Sequence, residues 1–179
     1  MNLVIILSLL LVAIILATFV VLFFSLTAIG INLKTKVPWV KTPANNLEII
    51  LDEIKLPSNS LVYDLGCGDG RFLFAAKKRG LRTVGYELSL YPCLRGWLRS
   101  YFSGTKVIIK NSNYFNSDLS EADTVYLFLV GAVMAKTGEK LKRELKPGTL
   151  VISYGFKIPG WEITKTLPTH PSQTYVYYC

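Results

Sequence analysis

The sequence predicts an α/β fold: a mostly parallel sheet with helices on both faces and an antiparallel C-terminal hairpin, preceded by one N-terminal transmembrane helix. Three observations carry this. Met1 to Leu33 contain no charged side chain, so the 20 basic and 12 acidic residues of the 179-residue chain all lie beyond them. After Pro43, short apolar runs alternate with amphipathic stretches, the order of a parallel sheet and its connecting helices. At Asp64 one such run enters a loop with glycine at 66, 68 and 70. The mean hydropathy of +0.37 and the hydrophobic content of 51% are therefore averages over two unlike segments. Beyond Leu33 about 22% of residues are charged, near the roughly 25% of ordinary globular domains. Disorder, a disulfide framework and a multidomain enzyme are excluded.

Residues 3–24 are Leu, Ile, Val, Ala and Phe, broken only by Ser8 and Thr18. As a helix they reach roughly 33 Å, enough for a bilayer core of about 30 Å. A cleaved signal peptide would show a basic start and an apolar run of about 7–15 residues. Here only Met1 and Asn2 precede a longer run, and no polar face suits a core helix. A retained span is expected, with residues 1–33 as anchor, 34–44 as linker and 45–179 as the domain. Lys34, Lys36 and Lys41 crowd its C-terminal flank, which places the domain in the cytoplasm, or in the matrix of an organelle. Cys67, Cys93 and Cys179 agree with a reducing compartment: they are odd in number and never spaced as CxxC, so neither structural disulfides nor a metal site is expected.

Along the domain, Pro38 and Pro43 hold residues 37–43 extended. Thr42 caps a helix that has Pro43 at its first position and Leu47, Ile50, Leu51 and Ile54 on one face. Residues 56–60 stop it. Strands are expected at 61–65, 83–87, 106–109, 124–129 and 150–153. Helices are expected at 71–78, ended by Gly80, at 93–101 and at 133–145. Residues 161–167 and 174–178 form the terminal hairpin.

The stretch Val62-Tyr63-Asp64-Leu65-Gly66-Cys67-Gly68-Asp69-Gly70-Arg71 is the most informative. Glycines let the backbone turn sharply and approach a ligand, and the following helix offers its free N–H groups to anionic atoms. A nicotinamide fingerprint needs a third glycine at position 71, where this chain has Arg. The carboxylate of Asp64 at the strand end suits a ligand carrying a cation or amine. Glu87 ends the next strand, where an acid accepts hydrogen bonds from ribose hydroxyls.

With Asp64-Leu65-Gly66-Cys67-Gly68-Asp69-Gly70-Arg71 and Gly85-Tyr86-Glu87 in this order, the chain resembles the class I S-adenosylmethionine-dependent methyltransferases, which have a Rossmann-like sheet. Within them it is similar to the membrane-anchored lysine methyltransferases of the ATP synthase c subunit and the adenine nucleotide translocase. Val37-Pro38-Trp39, Asp118-Leu119-Ser120, Lys140-Leu141-Lys142-Arg143-Glu144-Leu145 and Phe156-Lys157-Ile158-Pro159-Gly160-Trp161 carry that narrower likeness. The resemblance implies S-adenosylmethionine as cofactor. Asp64 with Gly66, Cys67, Gly68 and Gly70 would hold its methionine part, and Glu87 its ribose. Asn113 stands where the family usually has an Asp facing adenine; its carbonyl oxygen can still accept from the adenine amine. Leu129-Val130-Gly131-Ala132 replaces a proline-containing turn beside the methyl-transfer site.

Methyl transfer from a sulfonium needs a positioned acceptor and exclusion of water. A lysine acceptor must also lose a proton, which a desolvating pocket favours. Trp39, Tyr126, Tyr154, Phe156 and Trp161, with Leu129 and Val130, are the pocket candidates, Tyr126 being the one that reads most like packing. No Asp/Asn-Pro-Pro-Tyr/Phe sequence follows the fourth strand, so nucleic acid is not the expected acceptor. His170 reads as a surface turn residue. Lys77, Lys78, Arg79 and Arg82, and the pair Arg95 and Arg99, read either as a solvated basic face or as contacts to anionic lipid. The expected function is N-methylation of lysine on a protein, plausibly one in the membrane. Methylation of a lipid or small amphiphile, and a non-catalytic cofactor-binding scaffold, are the alternatives.

Overall fold

The computed structural model describes the backbone of residues 3–35 and 40–179 and the side chains of 3–26 and 40–179. Trp39, a predicted pocket residue, lies outside the described residues, as do the side chains of Lys34 and Lys36. The chain forms two compact units, Met1–Lys36 and Val37–Cys179.

The first unit is one helix, α1 (Leu3–Thr35). Its segment Leu3–Leu26 has a mean hydropathy of 3.3 and is long and apolar enough to cross a membrane. The polar groups within it are neutralised along the helix: Ser8, Thr18 and Ser25 donate to the carbonyls of Val4, Ile14 and Val21 at 2.8 Å. Such i−4 bonds remove the cost of a bare hydroxyl in an apolar medium.

The second unit begins with α2 (Ala44–Ile54), followed by β1 (Leu61–Leu65), α3 (Arg71–Lys78), β2 (Arg82–Glu87), α4 (Leu90–Ser103) and β3 (Ile108–Asn111). After a 3-10 turn at Tyr114–Asn116 come β4 (Thr124–Leu127), α5 (Gly131–Glu144), β5 (Leu150–Tyr154), β6 (Lys165–Leu167) and β7 (Thr174–Tyr178). They build one seven-stranded sheet in the order β3-β2-β1-β4-β5-β7-β6. The first five strands are parallel, and β7 runs antiparallel between β5 and β6. This is the predicted mixed sheet with its terminal hairpin. The chain winds outward from β1 to β3, then returns to β4 on the other side of β1. The strand order therefore reverses between β1 and β4, where open α/β sheets leave a crevice at the carboxyl ends.

Strands β1, β4 and β5 are buried throughout, as expected when helices cover both faces. Alternation sorts their side chains. Tyr63, Leu65, Val125 and Leu127 meet Met134 and Leu141 of α5, while Val62, Tyr126 and Ile152 meet Leu47, Ile50 and Phe72 from α2 and α3. A smaller cluster of Cys67, Leu73, Cys93 and Ile109 lies beside α4. Helix α3 ends as its sequence foretold. Gly80, at φ +79°, lets its own N–H reach Lys77 O at 3.0 Å and that of Leu81 reach Ala76 O at 3.3 Å.

Several local expectations shift. Thr42 does not cap α2; Pro43 occupies the cap position with no side-chain bond. The Thr42 hydroxyl instead pairs with Tyr126 Oη at 2.9 Å, because a buried tyrosine hydroxyl requires a partner and an exposed helix end can use water. Strand β3 starts two residues late, since Ser100 Oγ binds Thr105 O and receives Val107 N, which holds the incoming chain off the ladder. Strand β4 ends at Leu127, and α5 begins at Gly131 rather than 133. Residues 161–164 leave the hairpin, with the Trp161 ring edge-on to Tyr177 at 5.9 Å.

Close approach of β2 to the glycine loop depends on Gly85. A Cβ there would lie 2.5 Å from Cys67 Sγ and 2.6 Å from Leu73 Cδ1. Gly85→Ala is expected to destabilise the domain by about 1–3 kcal/mol, read as a lowered thermal midpoint. An unchanged midpoint would mean that the loop can recede without cost.

Candidate active site

The site grows from the carboxyl ends of β1 and β2. Past Leu65 the chain turns through Gly66 (φ +80°) and Gly70 (φ +77°), both in the left-handed region that side chains avoid. At Gly66 space forbids a side chain as well, since a Cβ would stand 2.8 Å from Leu129 Cδ2. The loop is pinned to β2: the amides of Gly66 and Cys67 both donate to Tyr86 O, at 2.8 and 3.0 Å. Gly70 then opens α3, whose unpaired N–H groups face the loop end.

Asp64 is buried, and burial holds its carboxyl well above the usual carboxylate range, with the nearby Glu87 charge adding to the effect. No hydrogen bond from the described residues offsets this. A buried carboxylate in this state is stabilised most by a cation. Glu87 ends β2. Its Oε2 accepts from Gly68 N at 3.0 Å and its Oε1 from Ser89 N at 2.7 Å. Burial raises its carboxyl, and those backbone donors partly counter the rise. Each oxygen keeps a lone pair for a further donor. Asn113 caps the 3-10 turn with Oδ1, accepting Phe115 N at 3.0 Å.

Asp64, Gly66, Cys67 and Tyr126 line one narrow cleft with Asp69, Arg71, Phe72 and Phe128, and Val40, Lys41 and Thr42 lie across it. Tyr126 stacks on Phe72 with centroids 3.9 Å apart and planes 7° apart, so it forms the cleft wall as a packed side chain. Burial shifts its phenol upward, and the Thr42 bond partly counters the rise. Asp69 pairs with Arg71 Nε at 3.5 Å and Arg95 at 4.0 Å. Arg71 Nε is buried with no hydrogen-bond partner among the described residues.

The remaining aromatics stand apart from this cleft. Tyr154 is buried, edge-on to Phe128 at 4.7 Å, and its hydroxyl accepts from Asn46 at 3.0 Å. Phe156 is exposed, near the position that a Cβ on Gly131 would take. Trp161 packs against Gly138 of α5 and under Lys142. Leu129 touches Gly66, and Val130 caps α5. Sequence reasoning missed Thr42, Asp69, Arg71, Phe72 and Phe128. Asp69 and Arg71 were within the glycine motif and Phe128 was beside the fourth strand, whereas nothing local marked Thr42, whose partner is 84 residues away.

The model of the ANTKMT methyltransferase domain matches residues 64–165, from Asp64 in β1 to the first residue of β6. The chain belongs to this family. It is 36% identical over 150 residues to a protein-lysine N-methyltransferase of Saccharolobus islandicus, covering 79% of this chain and 92% of that protein. It is 33% identical to the human lysine N-methyltransferase of the ATP synthase c subunit, covering 72% of this chain. The mouse adenine nucleotide translocase lysine N-methyltransferase is 29% identical, covering 82%. The chain spans only 55% and 65% of the lengths of these two. Among solved structures, an RNA methyltransferase of Salinibacter ruber with S-adenosyl-L-homocysteine superposes with a TM-score of 0.73 at 30% identity, covering 78% of this chain and 93% of that one. A ribosomal protein L11 methylase of Lactobacillus delbrueckii, at 14% identity and a TM-score of 0.66, shares the fold. The cofactor of this ANTKMT-family domain is S-adenosylmethionine.

The observed site fits that group. Its methionine part carries an ammonium and a sulfonium, which suit an Asp64 carboxylate that has no hydrogen bond from the described residues, and the turn at Gly66 leaves no side chain in the way.

Asp64 also governs an acid dependence. Its folded carboxyl titrates above the unfolded one, so the cofactor-free domain loses stability as pH rises from the unfolded value through the folded one. Asp64→Asn should raise the thermal midpoint at neutral pH, flatten this dependence and weaken S-adenosylmethionine binding about tenfold to hundredfold. A variant that loses binding and stability together would contradict the assignment.

Proposed function

We propose that this protein is a membrane-anchored, S-adenosylmethionine-dependent protein-lysine N-methyltransferase. The observation that carries the acceptor is the Saccharolobus islandicus relative, a protein-lysine N-methyltransferase matched over 92% of its length. The human and mouse relatives add acceptors that are themselves named proteins, the ATP synthase c subunit and the adenine nucleotide translocase.

When bound, S-adenosylmethionine supplies an electrophilic methyl group on a sulfonium that leaves as a neutral thioether. The chain's own residues bind and orient. Asp64 would hold the ammonium, Arg71 the carboxylate, and the backbone of Gly66, Cys67, Gly68 and Gly70 the methionine part. Glu87 would take the ribose hydroxyls on its remaining lone pairs, and the carbonyl of Asn113 the adenine amine. Val40 to Thr42, with Phe72, Tyr126 and Phe128, line the cleft and would exclude water from it. Of the acceptor-pocket candidates, Leu129 is in closest contact with the loop, at Gly66, while Tyr154 and Trp161 serve packing. A lysine amine, with a pKa of about 10.4 in water, sheds its proton more readily in such an apolar setting.

In this reading residues 1–33 are a single-pass anchor, 34–44 a linker and 45–179 the catalytic domain. The hydropathy of Leu3–Leu26 supports the anchor, and Lys34, Lys36 and Lys41 support a domain facing the cytoplasm or an organelle matrix. One observation favours RNA as the acceptor instead, the Salinibacter ruber relative named for it.

The deciding measurement is transfer of a labelled methyl group by the full chain into membranes of its source. Label is expected in methylated lysine after protein hydrolysis, at a rate that rises with pH below the acceptor's pKa. Label confined to lipid would establish the lipid alternative, and nuclease-sensitive label the RNA alternative. Cofactor binding without any transfer would leave only the scaffold.

A further inference from the structure

Helix α4 is built inside out. The side that meets the sheet is small: Pro92, Cys93 and Gly96 are its buried residues. A Cβ on Gly96 would stand 2.3 Å from Ile109 Cδ1 and 3.2 Å from Asp69 O, so this helix sits hard against the glycine loop. The large side chains point to solvent. Tyr101 is 82% exposed, Phe102 80% and Leu98 48%, flanked by Tyr91 and Trp97, with Ile108 56% exposed on the adjoining edge strand β3. Helical spacing brings Tyr91, Leu98 and Phe102 into one line, with Leu94 and Tyr101 beside it. Exposed apolar surface gathered in this way marks an interaction site.

The charge carried by this helix and its edge strand has one sign, with Asp69 of the glycine loop 4.0 Å from Arg95. No Asp or Glu occurs between Glu87 and Asp118, while Arg95, Arg99, Lys106 and Lys110 all fall in that interval. Arg99 lies over the Phe74 ring at 4.3 Å and Lys110 over the Tyr86 ring at 5.2 Å, so each keeps its apolar stem near aromatic surface. Tyrosine and tryptophan beside phenylalanine, rimmed by cations, match the layer between headgroups and acyl chains of an anionic bilayer. A second copy docked face to face would set cations against cations.

We propose that α4 docks in the headgroup layer of an anionic membrane and so fixes the height of the active site. Its inner face touches the loop at Asp69, and a helix is about 10–12 Å thick with its side chains. The glycine loop thereby lies roughly one helix diameter above the lipid. Acceptor lysines are then selected by their distance from the bilayer. This rests on the reading of the protein as a membrane-held methyltransferase, and the experiment separates the two.

The full chain is reconstituted into vesicles of phosphatidylcholine with phosphatidylglycerol, or of phosphatidylcholine alone, each with a photoactivatable acyl chain. Adducts are mapped by mass spectrometry. In anionic vesicles adducts are expected at residues 97–108 as well as 3–26. Those at 97–108 fall about tenfold in phosphatidylcholine alone and in the Tyr101→Ser, Phe102→Ser double variant. Both side chains are outside the core, so cofactor affinity of that variant in detergent stays at the parent value. Adducts only at 3–26 would overturn the docking and leave the anchor standing. Adducts only at 97–108 would overturn the anchor and leave the docking. Two copies joined through 97–108 by an added bifunctional cross-linker, with no lipid adducts there, would replace the lipid with a dimer.

Discussion

One carbonyl oxygen holds the site together. Tyr86 O receives both Gly66 N and Cys67 N, and this shared acceptor fixes the glycine loop to the end of β2. Everything nearby is set by that anchor. With the loop pinned, Gly68 N can reach Glu87, Gly70 can open α3, and Asp64 is trapped behind the turn. The anchor in turn requires β2 to lie unusually close to the loop, which Gly85 allows by lacking a side chain where Cys67 and Leu73 press in. The wrong residue at 85 would move the binding loop without touching a ligand.

The parts of this architecture that were legible in the sequence are those fixed by local spacing. Strand β1, its glycine turn and α3 follow within one short stretch, and the two acids that end β1 and β2 were readable because strand ends converge on the switch point. The terminal hairpin was legible from its β-rich pieces. Contacts made across the chain were not. Thr42 has the features of a helix cap, and only the tertiary fold brings it to Tyr126. Phe72 reads as an ordinary core residue of α3, yet stacking on Tyr126 makes it the cleft wall. Trp161 looked like part of a strand and instead packs on α5 through the gap left by Gly138. The outward apolar face of α4 was hidden for a related reason: its amphipathic spacing is normal, and only the sheet shows which side is inside.

The basic clusters separate once the fold is known. Arg79 is committed to the fold, pairing with Glu48 and Asp52 and so tying α3 to α2. Exposed as they are, these pairs add little stability individually. The cations on α4 and β3 lie in a stretch that carries no acid of its own, beside aromatic rings, and Arg95 meets Asp69 of the glycine loop at 4.0 Å. Equal numbers of charges in the sequence thus serve unlike purposes, and neighbouring carboxylates decide which.

Asp64 has a consequence for the cell. A buried carboxylate with no donor among the described residues weakens the empty domain, and a ligand that neutralises it returns that stability by mass action. Empty molecules unfold more often and are removed faster by proteolysis. A domain saturated with its methyl donor is therefore the one that resists unfolding and proteolysis longest.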